Sequence, residues 1–177
     1  MHAGRRVVVV VVALVVSWPV TGCRAKGVTP APPMPGGILI EDVEVIDGDT
    51  VAIDGPQGER LRVRIIGIDT PETARGGQPA QCWAEEATRA LRERIEHAEE
   101  VRLIPDPRVG ERDRYGRLLR QVVVDGVDVG EQLVAEGHAQ RFAAVPAGSR
   151  VHDRYRWAEQ RARSAGAGLW GSCASAG

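Results

Sequence analysis

The sequence predicts a β-rich α+β domain in which five strands close into a small barrel and about three helices are inserted or appended. Turn signals such as Asp-Gly and Gly-Pro separate five short apolar or alternating segments. Three other segments carry apolar residues at helical spacing. The regular alternation of strand and helix that a parallel α/β sheet requires is absent from the sequence. A barrel of antiparallel strands is the expected closure because it leaves no exposed sheet edge.

The N-terminal segment has the layout of an export signal. Residues 1–6 are basic, residues 7–16 are wholly apolar ("VVVVVVALVV"), and Trp18-Pro19 ends the apolar run. A membrane-spanning helix is the alternative, but it needs roughly 20 apolar residues. We therefore predict a signal peptide over residues 1–22 and an exported protein.

A lipid anchor and a tether are predicted to follow the signal. The sequence "VTGC" places small residues before Cys23 and resembles the lipobox of bacterial lipoproteins, which predicts a lipidated Cys23 facing outward at the cell membrane. A chance cysteine near a cleavage site is the alternative. Residues 23–37 are rich in Pro and Gly and are typical of a semi-rigid tether. The folded domain is expected over residues 38–177.

Two cysteines remain in that domain, Cys82 and Cys173. An isolated pair outside the cytoplasm favours a disulfide, which on the chain-entropy model contributes on the order of 4 kcal/mol. Two free thiols are the alternative. Two cysteines alone do not make a zinc site.

Three strands are expected to open the domain. Residues 38–46 alternate loosely, and Asp47-Gly48 is a turn signal. Residues 49–54 predict the second strand and residues 59–68 the third, with the turn "GPQG" between them. Asp47 is interpreted as a turn residue that helps a bound metal at most from the outer shell.

A helix and two further strands are expected in the middle of the chain. Apolar residues recur every fourth position from Trp83 to Ile95, which predicts a helix over residues 83–97. Residues 99–104 and 117–124 are predicted to be strands.

The C-terminal part is predicted to be mainly helical. A short helix is expected over residues 129–136, ended by Gly137, and a longer helix over residues 149–165. Residues 138–143 are expected to form a short extended piece between them. Trp170 is predicted to anchor the tail on the core.

The ends of the second and third strands carry the candidate site. A hairpin turn centred near residues 56–57 places Arg64 opposite Asp49, whereas Asp69 lies roughly 16 Å further along a straight strand and on the other face. Glycine within a strand often marks a bend or bulge. We therefore predict a bend at Gly67 that brings Asp49, Arg64 and Asp69 together.

These residue types suit phosphodiester hydrolysis. Asp49, Asp69 and a nearby backbone carbonyl offer oxygen ligands for calcium, and the lack of His and Cys in both acidic segments argues against zinc. Glu72 is placed to take a proton from water, Arg64 to bind a phosphate, and Arg117 to stabilise charge developing on phosphorus. Each motif by itself is also typical of an ordinary turn, and only their combination favours a site.

Three motifs, "VIDGDTVAI", "RIIGIDTPET" and "DRYGR", resemble the staphylococcal (micrococcal) nuclease family, and the similarity extends over about residues 38–171. The resemblance implies an OB-fold barrel with three helices and a calcium-dependent phosphodiesterase that acts on DNA and RNA. It implies a calcium shell of Asp49, Asp69 and the Thr70 carbonyl, with Glu72 as the general base. It also implies cleavage of the P–O5′ bond, which leaves a 3′-phosphate.

The same resemblance extends to the substrate contacts. Arg64 and Arg117 are similar to the family's phosphate clamps, and Tyr115 to the tyrosine near the terminal phosphate of the substrate. Arg114 beside it is predicted to bind substrate as well. Phe142 is the only aromatic residue in "AQRFAAVP", where the family's best-known enzyme has tyrosines, so base stacking is expected to differ.

Charge gives no sign of long-range attraction to nucleic acid. The net charge of the chain is −1, and removing the signal leaves 21 basic and 24 acidic side chains, a net charge of −3. Two alternatives to a nuclease remain, a non-catalytic OB-fold module that binds nucleic acid and a surface lipoprotein that contacts cell wall or protein. A monomer is expected.

Overall fold

The computed structural model describes residues 36–173. The predicted signal peptide, Cys23 and most of the tether lie outside the described residues. The described strands are β1 (Ile38–Ile40), β2 (Val43–Val45), β3 (Thr50–Asp54), β4 (Arg60–Ile65), β5 (Ile68–Asp69), β6 (Val101–Ile104), β7 (Leu118–Val124), β8 (Val127–Asp128) and β9 (Gln140–Arg141). The helices are α1 (Ala84–Glu96), α2 (Val129–Ala135), α3 (His152–Ala165) and α4 (Leu169–Ser172).

One sheet contains most of the strands, in the order β1-β6-β7-β4-β3-β2, with β8 beside β7. β5 and β9 form a separate pair. The predicted sheet core with three helices is present, whereas a closed barrel of five strands is not confirmed, for two reasons. The expected first strand is broken at Glu41–Asp42, because β1 pairs with β6 whereas β2 pairs with β3. Within residues 36–173, β1 and β2 are joined by the chain and not by a ladder, so the sheet does not form a closed hydrogen-bonded ring.

The strands are not all antiparallel either. β4 and β7 run parallel, with Val63 opposite Leu118. Parallel neighbours need a long crossover connection. The chain between β4 and β7 supplies one, because it includes α1 and β6.

The predicted bend at Gly67 is confirmed. β4 ends at Ile65, the chain turns at Ile66–Gly67, and β5 continues in the other sheet. Gly67 has φ +82°, and a Cβ built on it would lie 2.8 Å from Cγ2 of Val151. Only glycine suits this turn, because both the backbone conformation and the close approach of α3 exclude a side chain.

The three predicted helices are present, and α4 adds a single turn. α1 buries Ala87 and Leu91, and α3 buries Tyr155 and Ala158 against the sheet core. The tail is anchored differently from the prediction. Leu169 is buried, whereas Trp170 is only half-buried, with the Arg163 guanidinium 4.2 Å from its ring centroid. An aliphatic side chain, not the indole, therefore fills the core at this end of the domain.

Cys82 and Cys173 form the predicted disulfide, with their Cα atoms 5.9 Å apart. The bond joins residues 91 positions apart in the sequence and ties the segment before α1 to the end of α4. In the described part of the chain, none of the helices is both long enough and apolar enough to span a bilayer.

Candidate functional site

The first part of the site is the tight turn that precedes β3. The N–H groups of Ile46 and Asp47 both donate to the Thr50 carbonyl, and the Asp47 carboxylate accepts from the Asp49 N–H at 3.1 Å. Asp47 is thus the turn residue that the sequence predicts. A Cβ at Gly48 would lie 2.8 Å from the Thr70 hydroxyl oxygen. The small turn therefore lets the next acidic segment pack directly against it.

Arg64 joins the two acidic segments. Its Nη1 lies 2.7 Å from Oδ2 of Asp49, and its Nη2 donates to Oδ1 of Asp69 at 2.8 Å. The predicted register is wrong by one residue, since Arg64 faces Thr50 and the Ile65 N–H donates to the Asp49 carbonyl. The cause is a larger turn than expected, closed by Gly55 and Glu59. Arg64 nevertheless contacts Asp49, because Asp49 lies before the start of β3. Its side chain therefore does not have to follow the alternation of side chains between the two faces of the strand.

Asp49 is the most confined acid of the site. It is only 6% exposed, and its Oδ2 accepts from both the N–H and the hydroxyl of Thr70 at 3.1 Å. Burial raises the pKa of Asp49 to about 6, the Arg64 guanidinium acts to lower it, and the nearby Asp47 carboxylate raises it further. Desolvation is the main cause of this shift, and three carboxylates, Asp47, Asp49 and Asp69, also lie around the guanidinium of Arg64, an excess of negative charge over that one group. A bound cation would relieve this excess.

Glu72 lies in the loop that follows β5. It lines the same cavity as Asp49 and Asp69, and its carboxylate makes no hydrogen bond or ion pair with another described residue. Its main chain is fixed by Gln81 through two hydrogen bonds of 2.9 Å. Arg75, further along the loop, reaches within 3.7 Å of Asp47. The loop thus presents one free carboxylate and one arginine to the cavity.

Arg117 is held by a hairpin whose organiser is Asp113. The Asp113 carboxylate accepts from the N–H groups of Tyr115 and Arg117, and its Oδ2 accepts from Nε of Arg117 at 2.8 Å. Although burial acts to raise the pKa of Asp113, the bonds from Arg117 and Tyr115 hold it below its ordinary value. Nη1 of Arg117 then reaches the Thr50 hydroxyl at 3.4 Å, which itself donates to Asp49. A continuous polar chain therefore runs from Arg117 to Asp69.

These groups surround one cavity of about 640 Å³. Its lining includes nearly all of the predicted site residues, namely Asp49, Arg64, Asp69, Glu72, Arg114, Tyr115 and Arg117. Thr70 lies beneath it and reaches the site through its bonds to Asp49. Phe142, whose orientation the sequence left open, also lines the cavity. Tyr115 and Phe142 are 68% and 46% exposed, so both rings are accessible to a ligand.

The sequence prediction did not include Asp113, Thr50 or Gln81. Asp113 had a visible signal, because Asp followed by Gly three residues later is typical of a tight turn. Gln81 had none, since its role depends on a contact across a loop of ten residues.

The donor set fits a hard cation. Within residues 36–173, no three His, Cys, Asp or Glu side chains converge into a preformed metal centre. Two carboxylates, Asp49 and Asp69, do meet at one positive group, the Arg64 guanidinium, and Asp47 adds charge beside them. Oxygen ligands of this kind suit calcium or magnesium, which complete their shells with water and substrate oxygens.

Comparison with known proteins supports the same assignment. Residues 62–172 match the family model described as staphylococcal nuclease homologue. The chain is 33% identical over 128 residues to a thermonuclease of Staphylococcus hyicus, a match that covers 72% of this chain and 73% of that protein. It is 34% identical over 125 residues to the endonuclease YncB of Bacillus subtilis (strain 168), covering 71% of this chain and 58% of that protein. The fold, the grouped acids and arginines, and these matches together show that the chain belongs to the staphylococcal nuclease homologue family.

Proposed function

We propose that this protein is an exported, calcium-dependent nuclease that hydrolyses phosphodiester bonds of DNA, RNA or both. The observation that supports it most directly is the grouping of Asp49, Asp69 and Glu72 with Arg64 and Arg117 around one accessible cavity. A module that only binds nucleic acid needs cationic groups but no excess of buried acid. The names of the relatives, thermonuclease and endonuclease, point to the same activity.

Glu72 is the proposed general base. Its carboxylate faces the cavity without a competing partner among the described residues, so it can accept a proton from an attacking water. The water oxygen bonds to phosphorus, the P–O5′ bond breaks, and the 5′ oxygen leaves with a proton while the phosphate stays on the 3′ side. General base catalysis of this kind typically contributes 10²–10⁴-fold to the rate.

Arg64 and Arg117 are the proposed groups that bind the reacting phosphate. Arg64 lines the cavity, where its guanidinium already contacts Asp49 and Asp69 through its two terminal nitrogens. A guanidinium held in this way offers a planar set of donors to a phosphate oxygen in the cavity. Arg117 is preorganised by Asp113, so little reorganisation is needed when charge develops on phosphorus.

Asp49, Asp69 and the Thr70 carbonyl are the proposed calcium ligands. When bound, calcium would polarise a phosphate oxygen and offset the negative charge of the site. The excess of negative charge at Asp49 supports this assignment.

Tyr115, Arg114 and Phe142 are the proposed substrate contacts at the cavity rim. The Arg114 guanidinium lies 4.7 Å from the Tyr115 ring centroid and donates to its hydroxyl at 2.6 Å, which orients the ring. The exposed rings offer a face for a nucleobase. Because the chain has more acid than base, we propose weaker long-range attraction to nucleic acid than a basic enzyme would show.

We also propose that the protein acts as a monomer outside the cytoplasm, held at the membrane by a lipidated Cys23. The N-terminal sequence pattern supports this placement, and the Cys82–Cys173 disulfide is compatible with an oxidising compartment.

The decisive experiment follows cleavage of single-stranded DNA and of RNA by the full chain, purified in detergent, with calcium or with a chelator. We expect cleavage with calcium, none with the chelator, and 3′-phosphate product ends. Glu72→Gln is expected to lower kcat by about 10²-fold or more, because it removes the proton acceptor while keeping the shape of the side chain.

Glu41→Gln is the matched control, since Glu41 is exposed and lies outside the cavity. Its kcat should equal that of the unmodified protein. Retention of nucleic acid without any cleavage would favour the non-catalytic binding module instead. Full activity of the Glu72→Gln variant would overturn the proposed role of that residue.

A further inference from the structure

The loop that carries Glu72 is closed at its base by a single residue, Gln81. The Glu72 N–H donates to Oε1 of Gln81 and the Gln81 N–H donates to the Glu72 carbonyl, both at 2.9 Å. Two backbone hydrogen bonds between Arg75 and Gln78 hold the loop together further from this base. Glu72 is exposed, so these two bonds rather than burial determine where its main chain lies.

Gln81 is itself held by the disulfide. It precedes Cys82, whose sulfur is bonded to Cys173 at the end of α4. The Cys173 N–H donates to the Leu169 carbonyl, and the Leu169 N–H donates to the carbonyl of Gly137, just after α2. The base of the Glu72 loop is therefore connected covalently to a segment that is hydrogen-bonded to the helical side of the domain.

The disulfide also lies close to the acidic strand. One small cleft is lined by Asp69 and Thr70 together with Gln81, Cys82 and Cys173. A displacement of the disulfide would therefore change the surroundings of both Gln81 and the end of β5.

We propose that Gln81 is a positioning residue for Glu72 and that the Cys82–Cys173 disulfide fixes Gln81, so that nuclease activity depends on the oxidised bond. This inference rests on the proposed function of the site. Misplacing a reacting group by about 1 Å costs on the order of 10²-fold in rate. Loss of one of two hydrogen bonds in an exposed loop permits displacement of this size.

The disulfide is open to chemical reduction, because Cys82 is exposed and Cys173 is only half-buried. A dithiol reductant attacks one sulfur, supplies two electrons and two protons, and leaves two thiols on the protein and a cyclic disulfide on the reductant. The two thiols can then separate, and Gln81 keeps its hydrogen bond from the Ala84 N–H at the start of α1 but loses the covalent connection to α4.

Two variants of equal length test the role of Gln81. Gln81→Met removes the acceptor for the Glu72 N–H, whereas Gln81→Glu keeps an oxygen in the same place. We expect Gln81→Met to lower kcat about tenfold with KM changed less than about twofold, and Gln81→Glu to recover most of that loss. Gln78→Met in the same loop is the matched control, because Gln78 contributes only main-chain bonds to the loop.

The disulfide is tested with dithiothreitol and with the Cys82→Ser/Cys173→Ser variant. Both should lower kcat about tenfold and accelerate hydrogen exchange of the Glu72 and Gln81 amides by a larger factor than that of the Val122 amide in the core, which reports the loss of global stability. Adding Gln81→Met to the double serine variant should cause little further loss, since both changes act through one contact.

Additive losses of kcat, or unchanged exchange at Glu72 after reduction, would overturn this inference. An equal acceleration of exchange at Val122 and at Glu72 would also overturn it, because the disulfide would then act on the loop only through the stability of the whole fold. Hydrogen exchange does not require nuclease activity. If the unmodified protein fails to cleave, the proposed function is wrong, while the link from the disulfide to Glu72 is still tested by exchange.

Discussion

Two aspartates of this domain are almost equally buried, yet their surroundings differ. Asp49 is 6% exposed and Asp128 is 4% exposed, and each is paired with an arginine and a hydroxyl group. Asp49 lines a cavity together with four other acids, Asp47, Asp69, Glu72 and Asp113. Asp128 lies where β7, α2 and α3 meet, away from that cavity.

Asp128 is surrounded by donors on all sides. Its Oδ1 accepts from the Tyr155 hydroxyl at 2.7 Å and from the Glu131 N–H as the N-cap of α2, and its Oδ2 accepts from Gln121 and Arg154 at 3.1 Å. Burial and the adjacent Asp128 raise the pKa of Tyr155 well above its ordinary value, so the hydroxyl stays a donor. The Asp128 carboxylate is thus fully occupied by protein donors, and within this network only Oε1 of Gln121 has no partner among the described residues.

The difference shows that burial and ion pairing do not by themselves identify a functional acid. At Asp49, burial is the largest cause of the raised pKa, Arg64 acts against it, and the Asp47 carboxylate adds to it. Each aspartate also shares its arginine with a second acid, Asp69 at Arg64 and Glu131 at Arg154. The feature that separates them is access, because Asp49 lines a cavity and Asp128 does not.

The largest effect is expected from removing the structural acid. Asp128→Ala leaves Gln121, Tyr155 and Arg154 without their shared acceptor, and loss of one partner in a buried charged network costs about 3–5 kcal/mol. Urea unfolding should report this loss, while kcat of the folded fraction stays within about twofold. Glu44→Ala removes an exposed partner of Arg60 and should cost less than about 1 kcal/mol. If Asp128→Ala instead lost kcat and kept its stability, Asp128 would not differ from Asp49 in its role.

Asp49→Asn is expected to have the opposite pattern, with a loss of kcat and no loss of stability. Loss of the charged oxygen should lower kcat by about 10²–10³-fold, comparable to losing one preorganised group that stabilises the transition state. Stability in a chelator should rise at pH 7. The folded-state pKa of about 6 exceeds the ordinary 3.8, so the stability that this group contributes is present below pH 3.8 and is lost as the pH rises through 6.

The size of that change is on the order of 3 kcal/mol, since one pKa unit corresponds to about 1.4 kcal/mol. The free energies of unfolding of the unmodified protein and of Asp49→Asn, measured with denaturant, should therefore be similar at pH 4 and should differ at pH 7. A variant that is less stable at pH 7 would mean that the pair with Arg64 outweighs the burial of Asp49.

Much of the fold was predictable because local signals and packing agree. The Asp-Gly turn before β3, the stripe of α1 and the bend at Gly67 each follow from a residue type whose conformational preference matches the final structure. The break at Glu41–Asp42 was not predictable, because it depends on which strands β1 and β2 join. Long-range pairing has no local signature.

The residues of the candidate site likewise fall into those that the sequence predicted and those that it did not. The acids and arginines were predictable because their chemistry and motif spacing are visible in the sequence. Asp113 and Gln81, which position them, act through contacts that appear only after folding. The one-residue shift that places Thr50 opposite Arg64 also depended on the size of a turn that the sequence left open.

The smallest effect on stability is expected from changing Asp47, whose charge acts on Asp49. Asp47→Asn keeps the acceptor for the Asp49 N–H but removes the charge that raises the pKa of Asp49. The pKa of Asp49 should therefore move down toward its ordinary value, and stability at pH 7 should rise by less than about 1 kcal/mol. A carbon-detected NMR titration of the Asp49 carboxyl group in a chelator measures this shift directly. An unchanged Asp49 pKa would assign its elevation to burial alone, and the charge of Asp47 would then have no part in the difference between the two aspartates.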